Sequence, residues 1–248
     1  MRTIPPRRPT RDFVPPTEVY YDTIQRMDFK ITYTLRAKRV EKWIRAVKRD
    51  FLDAAEVKVV GLDCEFTSPR EGSENQRAAL LQLSVAHETL LFHIVFADDV
   101  PQVLIDFLAD ENILFCGAAI HNDLKMLLPH GIESIPSAIN LQEILRNPFP
   151  EKPTPSLIDL ANTYIGTDLK AKKRANKKKK DKDEPPMTAE EIEEEKALIH
   201  GWGDFPLSYK QLLYAALDAR LGFELGRKHW RARGYNSHCD RLKLNIYE

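Results

Sequence analysis

Asp63 and Glu65 stand two positions apart at the end of the run Val57–Phe66. The β-branched Val57, Val59 and Val60 favour an extended strand, in which positions two apart share a face. Two carboxylates side by side repel each other, and burial adds a desolvation cost. A hard divalent cation relieves both, because magnesium and manganese take oxygen ligands. Two solvated acids at the surface end of a strand would need no ion, so the pair gains meaning only from residues further along. Asp123 follows the passage Cys116–Asn122, where a strand gives way to a helix, and such junctions are where α/β folds gather ligand groups. As a first-turn acid it would equally complement the helix dipole. Tyr214 and Asp218 lie four apart, one helical turn, with apolar Ala215, Ala216 and Leu217 between them. An acid in so apolar a helix needs a partner; a Tyr–Asp hydrogen bond in the core would serve, and so would a metal.

The elements that must position these residues can be read from periodicity. Phe29–Tyr33 alternates as a short edge strand. Ala37–Ala54 carries Val40, Trp43, Ile44, Val47, Phe51 and Leu52 on one helical face. Leu62, Cys64 and Phe66 point away from the Asp63–Glu65 face of the central strand, towards a core. Ala78–Val85 and Thr89–Phe96 are two apolar runs expected to pair as a hairpin. Val100–Leu108 reads as a helix with Pro101 in its first turn, Asn112–Ile120 as a strand, and Asn122–Leu128 as a helix capped by Asn122. Ser137–Ile144 is strand or irregular. Ser156 with Asp159, and Ser208 with Gln211, have capping-box spacing for helices running to about Tyr164 and Arg231. Capping accounts for Asp159 without a ligand role. The order of elements predicts an α/β or α+β domain with a mixed sheet flanked by helices.

A chain of 248 residues, 43% hydrophobic and 30% charged, can bury one sizeable core. Its 37 basic and 37 acidic residues give a net charge of zero, so global charge offers no argument for nucleic acid. No apolar run is long enough to span a membrane, and no hydrophobic secretory signal begins the chain. The three cysteines have no metal-type spacing; Cys64 and Cys116 sit in apolar runs as buried thiols, which fits a reducing, intracellular compartment, nucleus or cytoplasm. Lys170–Lys182 is strongly basic and is followed by an acidic stretch from Asp183 to Glu195. A phosphate-binding arm, a nuclear import signal and a solvated loop folded on its acidic neighbour are equal readings of it.

Taken together and in this order, three segments resemble the DEDD superfamily of 3′–5′ exonucleases, in the tyrosine-containing subclass that includes RNase D and the Werner-syndrome-type exonuclease domain. They are Val60–Phe66, Gly117–Leu127 and Leu212–Ala219. Leu157–Ala161 and Pro206–Ser208 match the family's run-in between them. Ala119 stands where many members have asparagine, and Phe66 where tryptophan is common. Leu213 stands where a histidine would mark the other subclass.

The resemblance implies an RNase H-like mixed β-sheet flanked by helices, the DnaQ-like exonuclease fold. Residues 1–28, rich in proline and arginine and without periodicity, read as an extension, a tail or a strap over the domain; the resemblance makes 29–248 one exonuclease domain with a charged insertion at about 169–200. It also implies two Mg²⁺ or Mn²⁺ ions held by Asp63, Glu65, Asp123 and Asp218. Asp63 would bridge both ions, Glu65 and Asp218 would complete the nucleophile's site, and Asp123 would hold the second ion partly through water. Tyr214 would orient the attacking water. Leu62 and Phe66 would pack near the terminal nucleotide, and Glu65 would meet its 3′-hydroxyl. The expected substrate is the single-stranded 3′ end of RNA or DNA. Lys125, Arg220, Arg227 and Lys228 are candidates for backbone phosphates, although a solvated helix face explains each of them. A homo-oligomer is one way to complete a substrate channel. The competing expectation is a weakly active or inactive adapter of the same fold that binds nucleic acid or protein; another is a hydrolase of very short oligonucleotides.

Overall fold

A computed structural model describes residues 17–68, 76–170 and 200–237, together with 196 and 198. Seven strands form one mixed sheet in the spatial order β1-β2-β5-β4-β3-β6-β7. The strands are β1 (Glu18–Ile24), β2 (Met27–Thr34), β3 (Lys58–Phe66), β4 (Ala78–Val85), β5 (Glu88–Phe92), β6 (Ile113–Gly117) and β7 (Ala138–Asn140). The hairpins β1–β2 and β4–β5 and the pair β3–β4 are antiparallel. The pairs β2–β5, β3–β6 and β6–β7 are parallel. This is the expected mixed α/β sheet.

The helices are α1 (Ala37–Val47), α2 (Gln102–Leu108), α3 (Ile120–Leu127), α4 (Leu141–Ile144), α5 (Leu157–Tyr164) and α6 (Tyr209–Arg231). Helix α6 is 23 residues long and lies across β3, β4, β5 and β6, with α5 beside it. Ser208 starts it through the expected capping box: its Oγ accepts from the Gln211 N–H at 3.3 Å, and Gln211 Oε1 accepts from the Ser208 N–H at 2.9 Å. Lys228, His229 and Arg231 occupy the last turn, where positive charge suits the carbonyl end.

Glycine decides how closely α6 can approach. A Cβ at Gly61 would collide with the carbonyl oxygen of Ala219, and one at Gly222 would come within 2.5 Å of the carbonyl oxygen of Cys116. Both positions are backbone against backbone, so no side chain can swing aside. Gly61 therefore marks the face of β3 that meets α6, and by strand alternation Asp63 and Glu65 emerge on that same face.

Several expected boundaries move. Residues 18–28, assigned to an extension, form β1 and the start of β2; residues 1–16 lie outside the described part. The Ala37–Ala54 helix is α up to Val47 and then a π-helical turn, Lys48–Leu52. The second hairpin strand stops at Phe92, and Ile94–Phe96 is a 3₁₀ turn. Strand β6 ends at Gly117, three residues early, because Ala119 takes a left-handed conformation (φ 54°) and turns the chain. Helix α3 starts at Ile120 with Ala119 at its N-cap, so Asn122 lies inside the helix and does not cap it. Asn140 takes over at this turn: its Oδ1 accepts the Ala119 N–H at 3.1 Å. Ser137–Ile144 divides into β7 and α4. The insertion expected at about 169–200, with its basic run, lies mostly outside the described residues. Among the described residues no helix is long and apolar enough to cross a membrane.

Candidate active site

The end of β3 and the middle of α6 bring three acids together. Asp63, Glu65 and Asp218 each offer a carboxylate oxygen within 4.8 Å of the others. All three are half-buried. Such a set fits a divalent cation by its chemistry: hard oxygen donors of one charge, converging from two rigid elements.

Asp123 joins from the first turn of α3 and is 4% exposed. Burial first, and the Glu65 charge second, push its carboxyl up to about 8. Backbone N–H groups of Cys64 and of Asp123 itself oppose that shift. The Cys64 contact ties the carboxylate to the end of β3. An acid whose proton is held this firmly by like charge and burial is one that a cation would release.

Tyr214 lies one turn before Asp218 and is half-buried. Its ring leans towards Trp202, with centroids 6.3 Å apart and planes tilted by 46°. Phe66 lines a cleft of about 200 Å³ with Glu65, Thr67, Ser68, Gln76, His200 and Trp202. Leu62 does not reach this cleft. It is 1% exposed and belongs to the hydrophobic core, so the expected contact between Leu62 and a nucleotide is corrected.

Two of the four basic candidates for phosphate are corrected as well. Arg220 and Arg227 are each 2% exposed. Arg220 Nη2 lies 2.9 Å from Glu224 Oε1, and Arg227 Nη2 lies 2.5 Å from Glu224 Oε2. The Arg220 guanidinium also sits 5.7 Å from the rings of Phe29 and Phe223. They form an internal ion network, neither a phosphate surface nor a solvated face. Lys125 is exposed and Lys228 half-buried. Asp159 completes the expected capping box of α5 with Ser156, and it also pairs with Lys152 at 2.8 Å.

Three residues near the site escaped the sequence. Gln82 is fully buried on β4, directly opposite Asp63. Its signal was available, as an amide inside the otherwise apolar Ala78–Leu83. His93 is also fully buried, and desolvation holds its imidazole down to about 4. Its Nε2 lies 3.1 Å from the Trp202 carbonyl, which can only accept, so Nε2 donates and Nδ1 accepts from the Tyr33 hydroxyl at 2.7 Å. His93 thus anchors the backbone of Trp202, the residue beside Tyr214. Nothing in the spacing of residues 93 and 202 could have paired them.

A family model described as 3′–5′ exonuclease matches residues 46–231. The mouse (Mus musculus) bifunctional 3′–5′ exonuclease/ATP-dependent helicase WRN is 26% identical over 171 residues, covering 68% of this chain and 11% of that protein. The chain thus spans about a tenth of that relative's length. The crystal structure of the Aedes aegypti Nibbler EXO domain superposes with a TM-score of 0.55 at 16% identity, covering 87% of this chain and 94% of that one. Escherichia coli RNase D, an exoribonuclease involved in structured RNA processing, superposes with a TM-score of 0.56 at 18% identity, covering 88% of this chain and 49% of that one. The structural likenesses establish the fold, and the match of the family model over most of the chain establishes more: the chain belongs to the 3′–5′ exonuclease family.

Proposed function

We propose that the protein is a metal-dependent 3′–5′ exonuclease of the tyrosine subclass, removing nucleotides from the 3′ ends of single-stranded RNA or DNA by a two-metal-ion mechanism. The observation that carries this reading is the convergence of Asp63, Glu65 and Asp218 within 4.8 Å, with buried Asp123 beside them. Two divalent cations, Mg²⁺ or Mn²⁺, would supply the charge that promotes loss of a proton from the attacking water and stabilises the leaving oxygen. Asp63, Glu65 and Asp218 would hold one ion, with Asp63 shared, and Asp123 would serve the second. The Tyr214 hydroxyl would orient the water for in-line attack on phosphorus. The oxygen of the water bonds to phosphorus, the P–O3′ bond breaks, and the departing 3′ oxygen takes up a proton. Glu65 and Phe66, which line the cleft shared with His200 and Trp202, would meet the terminal nucleotide.

The test is degradation of 5′-labelled single-stranded RNA and DNA, side by side, with Mg²⁺, with Mn²⁺ and with EDTA. A metal-dependent ladder that disappears in Asp63→Ala is expected. Folded protein that yields no ladder on either substrate overturns the proposal.

A further inference from the structure

We propose that Gln82 is a charge-neutral clamp that sets the position of Asp63 for metal binding. The inference rests on the exonuclease reading above. It starts from register: Asp63 on β3 and Gln82 on β4 are directly opposed across an antiparallel pair, and opposed residues share a face with their Cβ atoms about 5 Å apart. Gln82 is 0% exposed in a strand whose eight residues are all buried. An amide in such a place destabilises the fold unless its donor and acceptor are both used. Oriented with its nitrogen towards Asp63, the side-chain amide uses both. The nitrogen donates to Asp63 Oδ2 at 2.9 Å, and the oxygen accepts the Glu65 N–H at 3.2 Å. One side chain thereby holds the carboxylate of the first acid and the backbone of the second.

The choice of an amide has a physical reason. Lysine or arginine at position 82 could hold Asp63 as well, but its charge would cancel the field that draws a cation into the cluster. Leucine would add no charge but would leave the Asp63 carboxylate short of this donor. Glutamine supplies a donor, fixes the side-chain rotation and leaves the charge of the cluster intact. Ser84, two positions on and on the same face of β4, provides the contrast. It is equally buried, but its hydroxyl pairs with Thr89 at 3.1 Å, away from the acids.

The experiment measures Mn²⁺ affinity directly, from the electron paramagnetic resonance signal of free Mn²⁺, alongside the ladder assay. Wild type, Gln82→Met, Gln82→Asn and Ser84→Ala are compared, with thermal melts for folding. Gln82→Met has similar volume and no amide; Gln82→Asn keeps the amide but withdraws it by one methylene. Loss of a group that orients a metal ligand weakens metal binding by about 10- to 100-fold. Both Gln82 variants are expected to bind Mn²⁺ at least 10-fold more weakly and to regain cleavage as Mn²⁺ is raised to saturation. Ser84→Ala loses a buried hydrogen bond of the same strand and is expected to melt earlier with Mn²⁺ affinity unchanged. A folded Gln82 variant that binds Mn²⁺ within twofold of wild type overturns the inference, while wild-type cleavage leaves the exonuclease reading standing. Wild type that binds no Mn²⁺ and yields no ladder overturns both. Should neither Gln82 variant fold, the wild-type protein carries the test: the Gln82 side-chain amide resonances must shift on addition of Mg²⁺, and an unshifted pair overturns the inference.

Discussion

Helix α6 carries two kinds of carboxylate less than two turns apart. Glu224 is 3% exposed and lies between two arginines, one on each oxygen. Asp218 is half-buried and gathers with Asp63 and Glu65 instead. The first arrangement is internal, because each carboxylate oxygen meets an opposite charge inside the protein. The second concentrates like charge at the open end of a strand. Concentrated like charge is costly to fold and useful to a cation. The same helix thus uses one carboxylate to hold two of its own buried arginines and gathers the other into an acidic cluster with β3.

Substituting each acid by its amide tests that division most severely. Glu224→Gln leaves two buried guanidiniums without their carboxylate, and breaking a buried pair costs about 3–5 kcal/mol. The expected result is a melting temperature lower by about 10 °C in a protein of this size. Asp218→Asn should do the reverse. It removes a like charge, so the metal-free melting temperature holds or rises, while cleavage falls by at least about 10³-fold as a metal ligand is lost. Equal thermal losses in the two variants would erase the distinction.

Gly61→Ala probes the approach that brings the two regions together. The added methyl meets the backbone of Ala219 and Phe223, so α6 must shift away from β3. A loss of about 2–3 kcal/mol is expected from such overpacking. Cleavage should fall even where the variant stays folded, because Asp218 moves with the helix.

Tyr214→Phe removes only a hydroxyl. The expected outcome is a rate lower by about 10²-fold, the low end of the range for a positioned proton-handling group, with an unchanged melting curve. A rate within twofold of wild type would remove Tyr214 from the chemistry.

The gentlest test uses pH on the metal-free protein. Asp123 has its carboxyl raised to about 8, so in the window between the ordinary carboxylate value and 8 the folded state holds a proton that the unfolded state has released. Stability therefore falls as pH rises through that window. His93, held down to about 4, acts in the opposite sense below its ordinary value of 6.5, so the clean interval lies between pH 6.5 and 8. The melting temperature should decline across that interval in wild type, and the decline should flatten in Asp123→Asn. Mn²⁺ affinity should rise over the same interval, because binding must displace the proton.

The comparison between Asp218 and Glu224 also shows where sequence reading succeeds. Asp63 with Glu65, and Tyr214 with Asp218, were legible because strand and helix periods place them on one face within a single element. The capping boxes at Ser156 and Ser208 were legible for the same reason, since a cap is a contact over three residues. Arg220 and Arg227 misled because periodicity gives a helix face but not what covers it; Glu224 lies one turn from each along α6, and Arg220 is sealed in where β2 brings Phe29 against it. Asn122 misled because the left-handed turn at Ala119 takes its partner from Asn140, 21 residues away.

By itself the sequence determined most of the order of elements from β2 onward, the acids at the end of β3 and on α6, and the resemblance to 3′–5′ exonucleases that the family match then bore out. Those features depend on neighbours along the chain, where local conformational preference acts. The tertiary structure alone decided that Asp63, Glu65 and Asp218 converge, that Gln82 faces Asp63, that His93 anchors Trp202 beside Tyr214, and that Leu62 is sealed in the core. Each depends on the register of one strand against another or on how closely a glycine lets α6 approach β3. Those are distances between segments far apart in sequence, set by packing and not by local preference.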